Sequence, residues 1–118
     1  MVTETLSRFG ATVVVNDVVP AEQAREVLPE HDRVRYLRAD TTEEREVERL
    51  LDGCVAEVGT LPDAVCCHAG VAASHPVHEF PLAEFDRLMQ VNVRASYVLA
   101  RAVAARWVTE RMPGHLVF

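Results

Sequence analysis

The chain has 118 residues, 18 acidic and 12 basic, with a net charge of −6. That length suits one domain with a real core, and that charge gives no general attraction to nucleic acid or to an anionic membrane. No apolar run reaches the roughly 18 to 20 residues of a bilayer span, and "MVTETLSRFG" lacks the layout of a signal peptide, so the expected location is cytoplasmic. Three cysteines in no metal-like spacing suit a reducing compartment. All the basic residues are arginine, and the absence of lysine constrains the chemistry below.

Val2, Leu6 and Phe9 recur at helical spacing before Gly10, which predicts a helix and its stop. "ATVVVND" (Ala11 to Asp17) is a short β-branched strand of the kind covered on both faces. Pro20 opens a short helix carrying Ala24, Val27 and Leu28. "RVRYLRAD" (Arg33 to Asp40) alternates as a strand nearer an edge. Thr41-x-x-Glu44 reads as a capping box before the apolar stripe Val47, Leu50, Leu51, Cys54, Val55, Val58, which Gly59 closes. "DAVCC" is a third strand, and a loop from about Val71 to Pro81 follows it. One long helix is then expected over roughly Leu82 to Arg111, stopped by Pro113-Gly114, and "HLVF" starts a fourth strand. Strand and helix alternate throughout, the pattern of an α/β fold with a doubly wound parallel sheet. Ligands in such folds bind beyond the carboxyl ends of the strands, here Asp17, Asp40 and His68-Ala69-Gly70.

At Asp17 a carboxylate can accept hydrogen bonds from ribose hydroxyls and repel a 2′-phosphate, which favours NAD over NADP; a solvated turn aspartate is the alternative. Asp40 is placed to contact an adenine amino group or to favour the positive end of the following helix. His68-Ala69-Gly70 offers a turn poor in side chains where backbone approaches a flat ligand and glycine tolerates unusual dihedrals, or it is an ordinary turn. Asn92 falls on the expected inward stripe of the long helix, at helical spacing from Phe85, Leu88, Met89, Ser96 and Leu99. An amide there needs partners, supplied by a functional site or by a structural bridge to a neighbouring strand. Cys66 and Cys67 are adjacent in a strand and point to opposite faces, so they read as small core residues rather than ligands of one ion. His75-Pro-Val-His78 lacks a paired cysteine motif, and no metal site is expected.

These segments together resemble the short-chain dehydrogenases/reductases. "ETLSRFGATVVVND" resembles the end of the family's first helix and its second strand with the ribose-binding acid. "RAD" followed by Thr41 resembles the adenine-contacting aspartate, "CCHAG" the Asn-Ala-Gly turn, and "VNV" the segment with the asparagine of the catalytic tetrad. The resemblance implies a Rossmann fold and hydride transfer between NAD(P) and a small-molecule alcohol or ketone. It assigns Asp17, Asp40, Thr41, His68, Ala69 and Gly70 to the cofactor and Asn92 to catalysis, where it would hold a water in the proton relay.

The chain departs from the family at His68, which replaces asparagine and can still donate a hydrogen bond. No glycine-rich Gly-x-x-x-Gly-x-Gly loop is present, and neither Tyr36 nor Tyr97 begins a Tyr-x-x-x-Lys pair. Residues 1–118 are therefore expected to form one partial dinucleotide-binding domain. It lacks the family's first strand, which would lie between the strands ending in Asp17 and Gly70, and everything after the fifth. Alone it is expected to be inactive. The long helix with Tyr97, Val103 and Trp107 resembles the one used for dimer contacts, implying a homo-oligomer for a full-length form. The alternatives are a non-catalytic nucleotide-binding or interaction fragment and a Rossmann-like methyltransferase. Asn92 and the His-Ala-Gly turn argue against the latter.

Overall fold

In the computed structural model, which describes residues 2–118, the chain divides into two compact units: Met1–Asp40 with Glu48–Leu61, and Thr41–Val47 with Pro62–Phe118. The order is α1 (Val2–Arg8), β1 (Val13–Asp17), α2 (Ala21–Val27), β2 (Val34–Arg38), α3 (Glu44–Val58), β3 (Ala64–Cys66), α4 (Leu82–Met89), α5 (Ala95–Glu110) and β4 (His115–Val117). A short 3-10 turn, Val77–Glu79, lies in the loop before α4. The expected parallel pairing is present as two separate two-stranded sheets. β1 pairs with β2 in the first unit, and β3 pairs with β4 in the second. Among the described residues no helix is long and apolar enough to cross a membrane.

In the first unit α1 ends as Gly10 predicts. Gly10 has φ +91°, its N–H bonds the Ser7 carbonyl, and the Ala11 N–H bonds the Leu6 carbonyl, the paired bonds of a Schellman stop. β1 and β2 run in register from Val13 opposite Val34 to Asp17 opposite Arg38, and the Ala39 N–H extends the ladder to the Asp17 carbonyl. The stripe on α3 is buried at Val47, Leu50, Leu51 and Cys54, as its spacing requires, and only Val55 and Val58 at its end are partly open. The helix starts later than the Thr41 capping box implies. The Glu46 N–H bonds the Glu43 carbonyl, while the Thr42 carbonyl accepts the Arg94 guanidinium at 2.6 Å.

In the second unit Ala95, Val98, Ala100, Val103 and Trp107 on α5 are buried, and the indole Nε1 donates to the Pro62 carbonyl at 2.8 Å. Val103 and Trp107 are therefore internal core residues, and of the three expected at a dimer contact only Tyr97 is exposed. The cysteines also differ from expectation, since Cys66 is exposed and Cys67 half-buried, leaving only Cys54 in the core. β3 is short, and its alternation buries Val65 while Ala64 and Cys66 face outward.

The single long helix is interrupted. Residues Gln90–Arg94 form a π turn, in which the Ala95 N–H reaches the Gln90 carbonyl. One extra residue in that turn shifts the helical register beyond it, but the expected inward stripe is open already at Phe85 and Met89, before the turn begins. Asn92 is exposed rather than buried, and Phe85 and Met89 are partly exposed as well.

Candidate functional site

Two clusters contain the residues singled out above, one in each unit. In the first unit Asp17 ends β1 and is exposed. Its Oδ1 accepts the Val18 N–H at 2.6 Å and the Val19 N–H at 3.4 Å, folding the carboxylate back on its own turn. No hydrogen bond from the described residues reaches Oδ2, which leaves one carboxylate oxygen available.

The backbone of this turn is held from β2. The Tyr36 hydroxyl lies 2.5 Å from the Val19 carbonyl and 3.1 Å from that of Asp17, and Arg38 Nε donates to the Val18 carbonyl at 2.8 Å. Asn16 adds a tie from β1, its Nδ2 donating to the Leu37 and Ala39 carbonyls. Desolvation holds the Tyr36 phenol above its ordinary value, with the Asp17 charge adding to the rise and Arg38 opposing it. Neither Asn16 nor Tyr36 stood out as functional from the sequence. An asparagine at the end of an otherwise apolar strand was the available signal, because such an amide must find carbonyls. Asp40 is half-buried directly after the buried Ala39.

In the second unit the residues after β3 turn tightly. The Cys67 N–H continues the ladder to the Val117 carbonyl, and the His68 N–H bonds the Cys66 carbonyl. Burial raises the Cys67 thiol above its ordinary range, with a contribution from Cys66 beside it, so this thiol is a poor nucleophile. His68, Ala69 and Gly70 are exposed, and the imidazole makes no hydrogen bond to the described residues. Gly70 does not use a left-handed backbone; positive φ occurs among the glycines at Gly10 and Gly59 only, within the described residues. A Cβ at Gly70 would stand 3.4 Å from Asn92 Oδ1, an ordinary van der Waals contact, so neither backbone nor space demands glycine there.

Asn92 binds the residue that follows Gly70. Its Oδ1 accepts the Val71 N–H and its Nδ2 donates to the Val71 carbonyl, both at 2.8 Å. The π turn and the His-Ala-Gly turn are thereby locked by one amide, which retains one Nδ2 hydrogen and one lone pair. Thr41 is half-buried in this unit, before the start of α3. His75 pairs with Glu84 at 2.8 Å and stacks edge-on to Phe80, while His78 faces Glu79 at 3.4 Å. Those partners account for both histidines, and no cluster of three His, Cys, Asp or Glu side chains that could hold a metal occurs among the described residues.

Parallel strand pairs, crossover helices and an acid-bearing turn at a strand's carboxyl end define a partial Rossmann-type α/β fold. The family model described as short chain dehydrogenase matches residues 1–118, and the chain belongs to that family. It is 34% identical over 116 residues to 1-deoxy-11-beta-hydroxypentalenate dehydrogenase of Streptomyces arenae, covering 94% of this chain and 41% of that protein. It is 36% identical over 101 residues to the short chain dehydrogenase/reductase dmxR18 of Cryptosporiopsis sp., covering 81% and 38%. Among solved structures it resembles a short-chain type dehydrogenase/reductase from Mycobacterium marinum, with a TM-score of 0.85 and 25% identity over 98% of this chain and 47% of that one. The fold also matches serine dehydrogenase from Escherichia coli at a TM-score of 0.83 and 21% identity, covering 98% of this chain and 52% of that one. The chain thus spans about two fifths of the length of the curated relatives named here.

Proposed function

We propose that residues 1–118 form one partial dinucleotide-binding domain. It supplies the adenosine half of the cofactor site of an NAD(P)-dependent oxidoreductase that moves a hydride between the nicotinamide and a small alcohol or ketone. The observation that carries this reading is the Asp17 turn: a carboxylate at the carboxyl end of a parallel strand, one oxygen satisfied by its own turn and the other open. An open carboxylate oxygen fits a ribose hydroxyl, which donates where Asp17 can only accept. This favours NAD. Asp40 and Thr41 would border the adenine, and the exposed His68-Ala69-Gly70 backbone would lie against the adenosine without side chains in the way.

The nicotinamide ring, when bound, accepts or gives the hydride; this chain's part is binding and orientation. Asn92 would fix the turn after β3 and hold a relay water with the Nδ2 hydrogen that Val71 leaves free. A Tyr-x-x-x-Lys pair cannot be assembled from a chain without lysine, so the acid/base would come from outside these residues, and the chain alone would turn nothing over. A cytoplasmic location and a homo-oligomeric whole protein belong to the same proposal.

The test is ligand-observed NMR on the 118-residue chain with NADH and with S-adenosylmethionine. Binding of NADH, weakened about tenfold in D17A as expected for loss of a hydrogen bond to a charged group, supports the reading. Preference for S-adenosylmethionine would make the chain a methyltransferase-like domain, and binding of neither would remove the nucleotide site.

A further inference from the structure

The π turn Gln90–Arg94 carries a second tether besides Asn92. Arg94 Nη1 donates to the Thr42 carbonyl at 2.6 Å, across 52 positions of sequence. Its Nη2 stands 3.7 Å from Glu44 Oε1, and Arg101 of α5 stands 3.9 Å from the other oxygen of that carboxylate. These ion pairs are long and open to solvent, so they add little, and the charge-assisted bond to Thr42 is the firmer contact. Thr41–Val47 belongs to the same compact unit as the turn, so Arg94 holds the stretch before α3 from within that unit. Side chains two residues apart on a helical turn do not share a face. Asn92 reaches Val71 while Arg94 reaches Thr42, and the turn is fixed from two sides. Trimming Arg94 opens no apolar hole, because the space it borders is an open polar cavity of about 440 Å³ lined with Thr42, Glu43, Glu44, Arg45 and Gln90.

We propose that Arg94 is a positioning residue: through the π turn it couples Thr41 and Thr42, of which Thr41 would border the adenine, to Asn92 and the turn after β3. This rests on the dinucleotide reading above and deepens it. The shared element is the π turn itself, which has an α-helical alternative one residue tighter, so a change in that turn moves Asn92 and Arg94 together. A ligand that orders Thr41 steadies the Thr42 carbonyl next to it, then Arg94, then the turn from which Asn92 projects. The Asn92–Val71 pair tightens, and the Nδ2 hydrogen meant for the relay water is held in place before a substrate arrives. Linkage makes the effect reciprocal, so a change at Asn92 must also weaken the ligand.

The experiment follows amide exchange at Val71 and the Asn92 side-chain resonances in the isotope-labelled 118-residue chain, with and without 5′-AMP. In the ligand-free chain Arg94→Ala should speed exchange at Val71 about fivefold, the scale of one lost hydrogen bond. Arg94→Lys should restore part of that protection, since it keeps a charged donor and loses the fork. An Arg94 that served only to start α3 would behave differently. R94A would then speed exchange at the Val47 amide, which bonds the Glu43 carbonyl, and leave Val71 and Asn92 as they were. The wild-type chain supplies a readout that needs no variant: saturating 5′-AMP should slow Val71 exchange about fivefold, the lower end of ordinary couplings, and shift the Asn92 Nδ2 signals. Binding of 5′-AMP that leaves both unmoved, or an R94A effect confined to α3, overturns the coupling while the dinucleotide reading stands. Failure of 5′-AMP to bind overturns that reading and the role of Arg94 with it.

Discussion

The turn after β1 and the turn after β3 end parallel strands in the same way, yet they are held differently. Asp17–Val19 is fastened by Tyr36 and Arg38 from β2, with Asn16 tying β1 to β2 just beneath. The turn through Gly70 and Val71 is tied by one amide, Asn92, set in a π turn, with a weak thiol bond from Cys67 to the Ser96 carbonyl just ahead of it. The first arrangement is redundant and the second rests mainly on one residue. Loss of one contact should be absorbed in the first unit and should open the second. π turns are often found at functional sites, and here the distortion has an identifiable product, the double bond to Val71.

The largest expected effect tests the scaffold beneath the second turn. A Cβ on Gly114 would stand 2.3–2.5 Å from three ring atoms of the buried Trp107, and an indole fixed by its bond to Pro62 has nowhere to go. Gly114→Ala should cost about 3 kcal/mol, the upper end of overpacking penalties, read as a lowered midpoint in chemical denaturation. A loss under half of that would mean that the ring shifts freely and that this unit is less rigidly packed than its burial implies.

Next comes Asn92→Ala, which removes both bonds to Val71. Two ordinary hydrogen bonds amount to about 2 kcal/mol, and the loss should be local, accelerating hydrogen exchange at the Val71 amide more than at Val65 in the strand. Asn92→Asp sharpens the reading. It keeps an acceptor for the Val71 N–H but sets a second oxygen against the Val71 carbonyl, so it should recover little of the loss. Exchange rising equally across the unit would show that Asn92 supports the whole helix rather than the turn.

Tyr36→Phe is the counterpart in the first unit and should cost only about 1 kcal/mol, because Arg38 and Asn16 keep their own carbonyls. It carries a pH signature with a definite sign. The folded state raises the Tyr36 phenol above its ordinary value of 10.0, so the protonated form is favoured by folding. That contribution is complete below the unfolded value and fades as pH rises past it toward the folded one. The wild-type chain should therefore lose stability above about pH 10, and Y36F should lose less over the same range. Equal alkaline slopes in the two proteins would remove Tyr36 as the cause.

These contrasts also show what the sequence could and could not disclose. The strands, the stops at Gly10 and Gly59 and the stripe through Val47, Leu50, Leu51 and Cys54 are written in local spacing, and they are found where that spacing puts them. Asn92 was recognised as an amide in need of partners, but its depth was misjudged. The π turn that carries it leaves no periodic signature, and its partner is a residue 21 positions earlier. Gly114 was legible as a helix stop, yet its steric reason is the Trp107 ring, known only once the chain has folded back on it. Cys66 and Cys67 were placed in the core because apolar runs usually are, whereas a three-residue strand with two open positions has little core to offer.

The smallest effect compares two helix stops built on one pattern. α1 ends with Gly10 at φ +91° and bonds from Gly10 to Ser7 and from Ala11 to Leu6. α5 ends with Arg111 at φ +54° and the matching bonds from Arg111 to Val108 and from Met112 to Trp107. The hydrogen bonding is shared, so the difference lies in the side chain forced into a left-handed backbone. Glycine accepts that conformation freely and arginine does not, by about 1 kcal/mol. Gly10→Ala should lower stability by about that amount, and Arg111→Gly should raise it by somewhat less, since glycine also gains entropy in the unfolded chain. The pair isolates backbone strain from contacts, because no atom lies within 4 Å of a Cβ built on Gly10. If R111G were destabilising instead, the Arg111 side chain would be contributing more than its backbone costs, and α5 would be held at its end by an interaction rather than by geometry.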